Sequence, residues 1–138
     1  MDIVRRNTDY ALRAMIHLAC NFGTAAVSTR SIADSEDISY QLACKLMQRL
    51  NSAGLVKSSM GPKGGFALSR NPRKINLLEI IVAVQGPVSV NRCLAEGMGC
   101  DRQSDCPASE VLEGLQKHIE SYLKKATLDK MCKKAKKK

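Results

Sequence analysis

The segment from Ser28 to Ser69, "STRSIADSEDISYQLACKLMQRLNSAGLVKSSMGPKGGFALS", restricts the fold of this chain more than any other stretch. It reads first as a short helix around Thr29 to Ser35, then a turn. Ser39 follows where a side-chain oxygen can cap a second helix, which runs through "YQLACKLMQRLNSA" and ends at Gly54. Leu42, Leu46 and Leu50 recur every fourth residue as the apolar row of that helix, while Gln41, Lys45, Gln48 and Arg49 lie off it. Two short helices joined by a tight turn, the second presenting hydrogen-bonding side chains, make a helix-turn-helix pattern. Two β-type runs, Leu55 to Ser58 and Phe66 to Ser69, then flank "GPKGG". A hairpin with a glycine-rich tip fits, because glycine supplies positive φ and lets backbone approach a phosphate closely. Such a hairpin would be a wing.

The flanking segments are helical. Thr8 is placed to cap a helix through "DYALRAMIHLACNF", with Leu12, Ile16 and Cys20 as its stripe and Met15 and Ala19 widening it. Asn76 and Glu79 form a capping-box-like start for "NLLEIIVAVQG", which Gly86 and Pro87 close. Pro107 suits the first position of the longest helix, "PASEVLEGLQKHIESYLKKA", with apolar side chains at Val111, Leu112, Leu115, Ile119, Tyr122, Leu123 and Ala126. A long amphipathic helix beside a small head is suited to pairing with a second copy. The expected class is mainly α with a small β-hairpin wing: a winged helix-turn-helix plus a long C-terminal dimerisation helix. Residues 1–75 would form the DNA-binding domain. Residues 76–130 would form the dimerisation region, with a cysteine loop at 88–106 and the long helix, and 131–138 a basic disordered tail.

Charge supports this division. The net charge is +9, yet "KMCKKAKKK" alone holds six lysines and no acid. Residues 1–75 carry eleven Lys/Arg against five Asp/Glu, and residues 76–129 five against eight, so the basic half is the one to test for DNA contact. No run reaches the ~18 apolar residues of a membrane span, and the N-terminus lacks a signal-peptide pattern, which leads to the expectation of a soluble cytoplasmic protein with no membrane partner. With no Walker loop, dinucleotide fingerprint or zinc-protease motif, an enzyme is not expected.

Six cysteines in a cytosolic chain suggest metal binding or redox chemistry rather than a disulfide framework. Three of them, Cys93, Cys100 and Cys106, share the loop "CLAEGMGCDRQSDCP". Zinc knuckles use pairs two to four residues apart; these wider steps suit an iron–sulfur cluster, whose thiolates must surround a larger object. Zinc, reactive thiols and a switchable disulfide remain open on spacing alone. Three thiolates leave one position short of four, with Asp9, His17, His118, Glu110 or another cysteine as candidates. Cys20 and Cys44 read as small buried hydrophobes on helices, and Cys132 falls in the lysine tail.

Together "TDYALRAM", "ISYQLACKLMQRLNSAGLVKSSMGPKGGFALS", "INLLEIIVAVQG", the three-cysteine loop and "ATLDKM" resemble the IscR/NsrR superfamily of winged-helix transcriptional regulators, over nearly the whole chain. The resemblance implies a homodimer with crossed C-terminal helices and an iron–sulfur cluster (2Fe-2S or 4Fe-4S) in each loop. It also implies affinity for a palindromic double-stranded DNA operator, set by a cluster that senses redox state, nitric oxide or iron status. Cys93, Cys100 and Cys106 fall on the cluster ligands. Asp9 matches the aspartate that NsrR-type members donate from the partner subunit as fourth ligand. IscR-type members use a histidine three residues after the last cysteine, where this chain has Ser109. Ser39, Tyr40 and Gln41 begin the recognition helix, and Lys45 and Arg49 fall where phosphate or guanine is reached. Many relatives carry an arginine before the Gly-Pro pair of the wing; here Met60 stands there, leaving Lys63, beside Gly64, to supply the charge. Two rival readings are a winged-helix regulator acting by thiol oxidation without a cluster, and an iron–sulfur electron carrier with no DNA role, which gives "GPKGG" no purpose.

Overall fold

A computed structural model describes residues 2–95, 97, 99–102 and 104–136. Within them lie α1 (Arg6–Cys20), α2 (Thr29–Glu36), α3 (Tyr40–Ser52), β1 (Val56–Ser59), β2 (Gly65–Leu68), α4 (Leu77–Gln85), α5 (Ser109–Lys125) and α6 (Leu128–Lys136). The strands pair antiparallel, Val56 opposite Leu68 and Ser59 opposite Gly65. The expected class, a winged helix-turn-helix followed by a long C-terminal helix, is the one observed.

Capping explains most boundaries. Ser28 accepts from the Ser31 N–H to start α2, and Ser39 from the Leu42 N–H to start α3. Asp37 ends α2 in the left-handed region at φ 52°, turning the chain so that Ile38 N–H reaches the Ala33 carbonyl. Asn76 and Glu79 form the reciprocal capping box of α4. The strands sit one residue away from their expected limits, and Val27 extends the hairpin by exchanging backbone bonds with Phe66 at 2.8 and 2.9 Å. Gly65 makes that approach possible: at φ 150° a Cβ would run into the Val27 carbonyl.

The core gathers on α1. Ala11, Ala14, Met15 and Leu18 pack with Ile32 of α2, Leu46, Met47 and Leu50 of α3, Ile80 and Val84 of α4, and Leu68 of the wing. The small alanines let neighbouring helices come close, while the methionines fill the irregular gaps. A second cluster of Ile81, Val88 and Leu123 joins α5 to α4.

Three expectations are corrected. Thr8 does not cap α1, which begins at Arg6; Thr8 is 0% exposed, and its hydroxyl donates to Gln85 Oε1 at 2.6 Å. Pro107 precedes α5 rather than opening it, in a turn where Ser109 N–H reaches the Cys106 carbonyl. The tail from residue 131 is not disordered through Lys136. It continues α6, which buries Leu128 and Cys132 against the core on α1, and Cys132 is paired with Cys20 as a disulfide. Helical spacing of Leu128, Met131 and Cys132 carries an apolar stripe that the lysines hide from a composition-based reading. Lys137 and Lys138 lie outside the described residues.

Candidate nucleic-acid interface and cysteine loop

The first turn of α3 projects from the head. Ser39 has its hydroxyl oxygen engaged at the Leu42 N–H, so its place is structural as well as frontal. Tyr40 is 47% exposed, and the Arg30 guanidinium of α2 stacks 4.8 Å from its ring centroid. A hydrogen bond that the Tyr40 hydroxyl donates to the Cys44 sulfur one turn on raises it above the usual phenol range, with Arg30 opposing the shift. The hydroxyl proton is thus directed at that sulfur, which leaves the phenol oxygen free to accept. Gln41 and Lys45 are exposed on the same helix. Arg49 is also exposed but donates one guanidinium N–H to the Val84 carbonyl at 2.7 Å, tying α3 to the end of α4. Lys63 is exposed at the wing tip beside Met60, whose side chain is fully extended into solvent. Gly64 folds the tip back so that its N–H meets the Gly61 carbonyl at 2.9 Å.

Gln85 is a residue that sequence reading missed. Its Oε1 accepts from the Arg5 backbone N–H at 3.0 Å and from the Thr8 hydroxyl, while its Nε2 donates to the Ile3 carbonyl at 2.8 Å. It clamps the start of α1 to the end of α4, beside an open pocket lined by Arg5, Arg6 and Arg49. Three arginines at one mouth complement the phosphate backbone of a duplex. Asp9, one residue past Thr8, is exposed and pairs with Arg13 at 3.6 Å; Arg13 also meets Glu36 at 3.5 Å.

The start of the cysteine loop is pinned to α5. Gln116 accepts from the Val90 N–H at 2.9 Å and donates to the Val88 carbonyl at 2.6 Å; no motif flagged it. Cys93 sits on a single 3-10 turn and receives the Asn91 side-chain amide at 3.5 Å from its sulfur. Cys100 and Cys106 are exposed, and all three thiols are unpaired. Among the described residues, no three His, Cys, Asp or Glu side chains converge at metal-binding range. The loop cysteines and Asp9 are thus not assembled into one group within a single chain, and His17 and His118 do not complete one.

On α5, Val111, Leu115 and Tyr122 are 72%, 47% and 70% exposed. With His118 they follow a 4-3-4 spacing, the seam of a helix that packs against another helix. No helix among the described residues is long and apolar enough to cross a membrane.

These features recur in proteins already known. The HTH-type transcriptional regulator IscR of Klebsiella pneumoniae is 32% identical over 122 residues, 88% of this chain and 74% of the relative. Among solved structures, T. potens IscR superposes with a TM-score of 0.76 at 33% identity, covering 96% of this chain and 87% of that one. CymR, the global cysteine regulator of B. subtilis, superposes with a TM-score of 0.81 at 29% identity, covering 96% and 98%. The Rrf2 family, described as an iron-dependent transcriptional regulator, matches residues 4–134. A winged head, a glycine-tipped hairpin and a family match spanning head, loop and C-terminal helices together make this chain a member of the Rrf2 family of transcriptional regulators.

Proposed function

We propose that the chain is a cytoplasmic homodimeric regulator that reads a palindromic operator, with its DNA affinity governed by an iron–sulfur cluster at the cysteine loop. The observation that carries the reading is the state of Cys93, Cys100 and Cys106: three unpaired thiols on one loop, outside the core and outside the disulfide, with an amide N–H already aimed at one sulfur. Thiolate donors in such an environment suit iron–sulfur chemistry, since N–H groups directed at sulfur are one of the levers that tune a cluster. Those three residues would hold the cluster, and Asp9 of the second copy would complete the set. When bound, the cluster supplies a reversible link that reacts with oxidants, nitric oxide or iron depletion.

The chain's own residues do the rest. Val111, Leu115, His118 and Tyr122 bring two α5 helices together, so that two heads face two half-sites. Ser39, Tyr40 and Gln41 enter the major groove, Lys45 and Arg49 neutralise phosphate, and Lys63 with Gly64 brings the wing to the backbone. Because Asp9 stands on α1 and the cysteines stand at the base of α5, a link between them would fix the spacing of the heads, and head spacing selects half-site spacing.

A second reading, thiol oxidation at the same loop without a cluster, is favoured by one observation: the sulfurs do not converge within the chain. Fluorescence anisotropy on operator fragments separates the two. The proposal expects affinity to change at least several-fold when iron and sulfide are removed under reducing conditions. An affinity unaffected by cluster removal yet altered by oxidant in iron-free protein would favour the rival.

A further inference from the structure

The C-terminal helix is fastened to the head in two ways. Leu128 is fully buried, and Met131, like Ile16 and Cys20, packs against the core cluster. Cys132, 7% exposed, is also joined by its sulfur to Cys20, the last residue of α1. The two Cα atoms are 5.5 Å apart, inside the roughly 4.4–6.8 Å span of relaxed disulfides. The pair is separated by 112 residues, so the bond closes most of the chain into one loop. Neither cysteine belongs to the 88–106 loop.

The geometry distinguishes the two sulfurs. Cys20 is half-buried and opens on a pocket of about 260 Å³ lined by Arg13, Ile16, His17, Glu36 and Ala135. Cys132 lies behind it in the core. Helix α6 follows α5 after Ala126 and Thr127; the Ala126 carbonyl accepts from the Leu77 N–H at the start of α4, and the Leu128 N–H donates to the Ile75 carbonyl. The bond therefore runs from the end of α5, through α6, to the helix on which α2 and β2 pack. Without it α6 is a nine-residue helix, too short to persist by itself, held to the head by the packing of Leu128, Met131 and the Cys132 side chain and by the Leu128 N–H bond to the Ile75 carbonyl.

We propose that Cys20 and Cys132 form a redox-controlled latch, closed by exchange with a small-molecule disulfide that reaches Cys20 through this pocket, which locks α6 and the end of α5 onto the head. The Cys20 thiolate attacks the small disulfide, forming a mixed disulfide and expelling one thiolate. The Cys132 thiolate then attacks the Cys20 sulfur and expels the second. The two protons lost by the protein thiols end on the two expelled thiolates, so the small disulfide is reduced by two electrons to two thiols and the protein gains one S–S bond. Cytosolic thiols are kept reduced, so the latch is open at rest and closes under disulfide stress. It is independent of any cluster at the loop and stands or falls separately from it.

The test uses the full chain, reduced and then incubated with glutathione disulfide. Free thiols are counted by alkylation and mass spectrometry, alongside thermal melting and limited trypsin digestion. The proposal expects loss of the Cys20 and Cys132 thiols, whatever adducts the exposed loop thiols take up, recovery of a Cys20–Cys132 linked peptide, and a rise in Tm of roughly 5–15 °C. It also expects several-fold slower cleavage in α6, with every change reversed by dithiothreitol. In Cys132→Ala the reaction stops at one glutathione adduct on Cys20. The triple variant Cys93→Ser, Cys100→Ser and Cys106→Ser keeps the whole response. Cys20 and Cys132 remaining open to alkylation after treatment would overturn the latch. So would a Tm rise that survives in both Cys20→Ala and Cys132→Ala.

Discussion

Replacing Gln85 by leucine tests how the first helix is anchored. The side chain makes three contacts, to Arg5 N–H, the Thr8 hydroxyl and the Ile3 carbonyl. The Arg5 and Ile3 groups lie at exposed positions, so water replaces the lost partner at little cost. Thr8 is different: it is 0% exposed, and leucine leaves its hydroxyl without an acceptor. A buried unsatisfied hydroxyl costs about 1–3 kcal/mol, which sets the expected loss of stability. Thr8→Val alone removes one hydrogen bond and costs about 0.5–1.5 kcal/mol. The double variant removes both the acceptor and the group that needs it, so it should be more stable than the sum of the singles by about 1 kcal/mol or more. Urea denaturation followed by circular dichroism, with equal m-values checked first, measures all three. Additivity, or a Gln85→Leu cost below about 0.5 kcal/mol, would refute the reasoning by showing that the Thr8 hydroxyl finds another acceptor, such as a carbonyl one turn back.

Other outcomes follow from single contacts. Gly65→Ala should cost about 1–3 kcal/mol and release Val27 from the wing, visible as faster amide exchange at Val27 and Phe66, because a Cβ meets the Val27 carbonyl. Leu115→Glu, placing a charge on the exposed α5 seam, should weaken self-association at least tenfold in sedimentation while leaving helix content intact. The Thr127 hydroxyl, donating to Asp129, holds that carboxyl below its usual range, helped by the Lys130 N–H and nearby Lys133 and Arg73. Its contribution to stability is therefore present above the unfolded value near 3.8 and lost as pH falls through the lower folded value, so Asp129→Asn should flatten the acid limb of the Tm–pH curve.

The helix-turn-helix and wing were legible because local chemistry agrees with the final fold: Ser39 caps, Gly54 stops a helix at φ 76°, and Asn76 with Glu79 closes a capping box. What escaped is long-range. Gln85 reaches back some eighty residues to Arg5 and Thr8, and Gln116 reaches the loop start; both are polar residues whose partners no local pattern announces. Thr8 was misplaced for the same reason, since a threonine before an apolar run looks like a cap until its acceptor on another helix is known. In the tail, lysine density masked the stripe of Leu128, Met131 and Cys132, and with it the partner of Cys20. The loop cysteines were identifiable as a set from spacing. Among the described residues they are not brought together into one group, which spacing along the chain could not foretell.

The central claim is that Cys93, Cys100 and Cys106 hold an iron–sulfur cluster. Iron and acid-labile sulfide should be quantified on protein purified without oxygen, with a visible absorption spectrum, beside the same measurement on Cys93→Ser, Cys100→Ser and Cys106→Ser. The account predicts iron and sulfide in comparable amounts in the wild type, with absorption bands between roughly 320 and 460 nm, and loss of both in each variant. Colourless, iron-free protein that also resists reconstitution with iron and sulfide would contradict it.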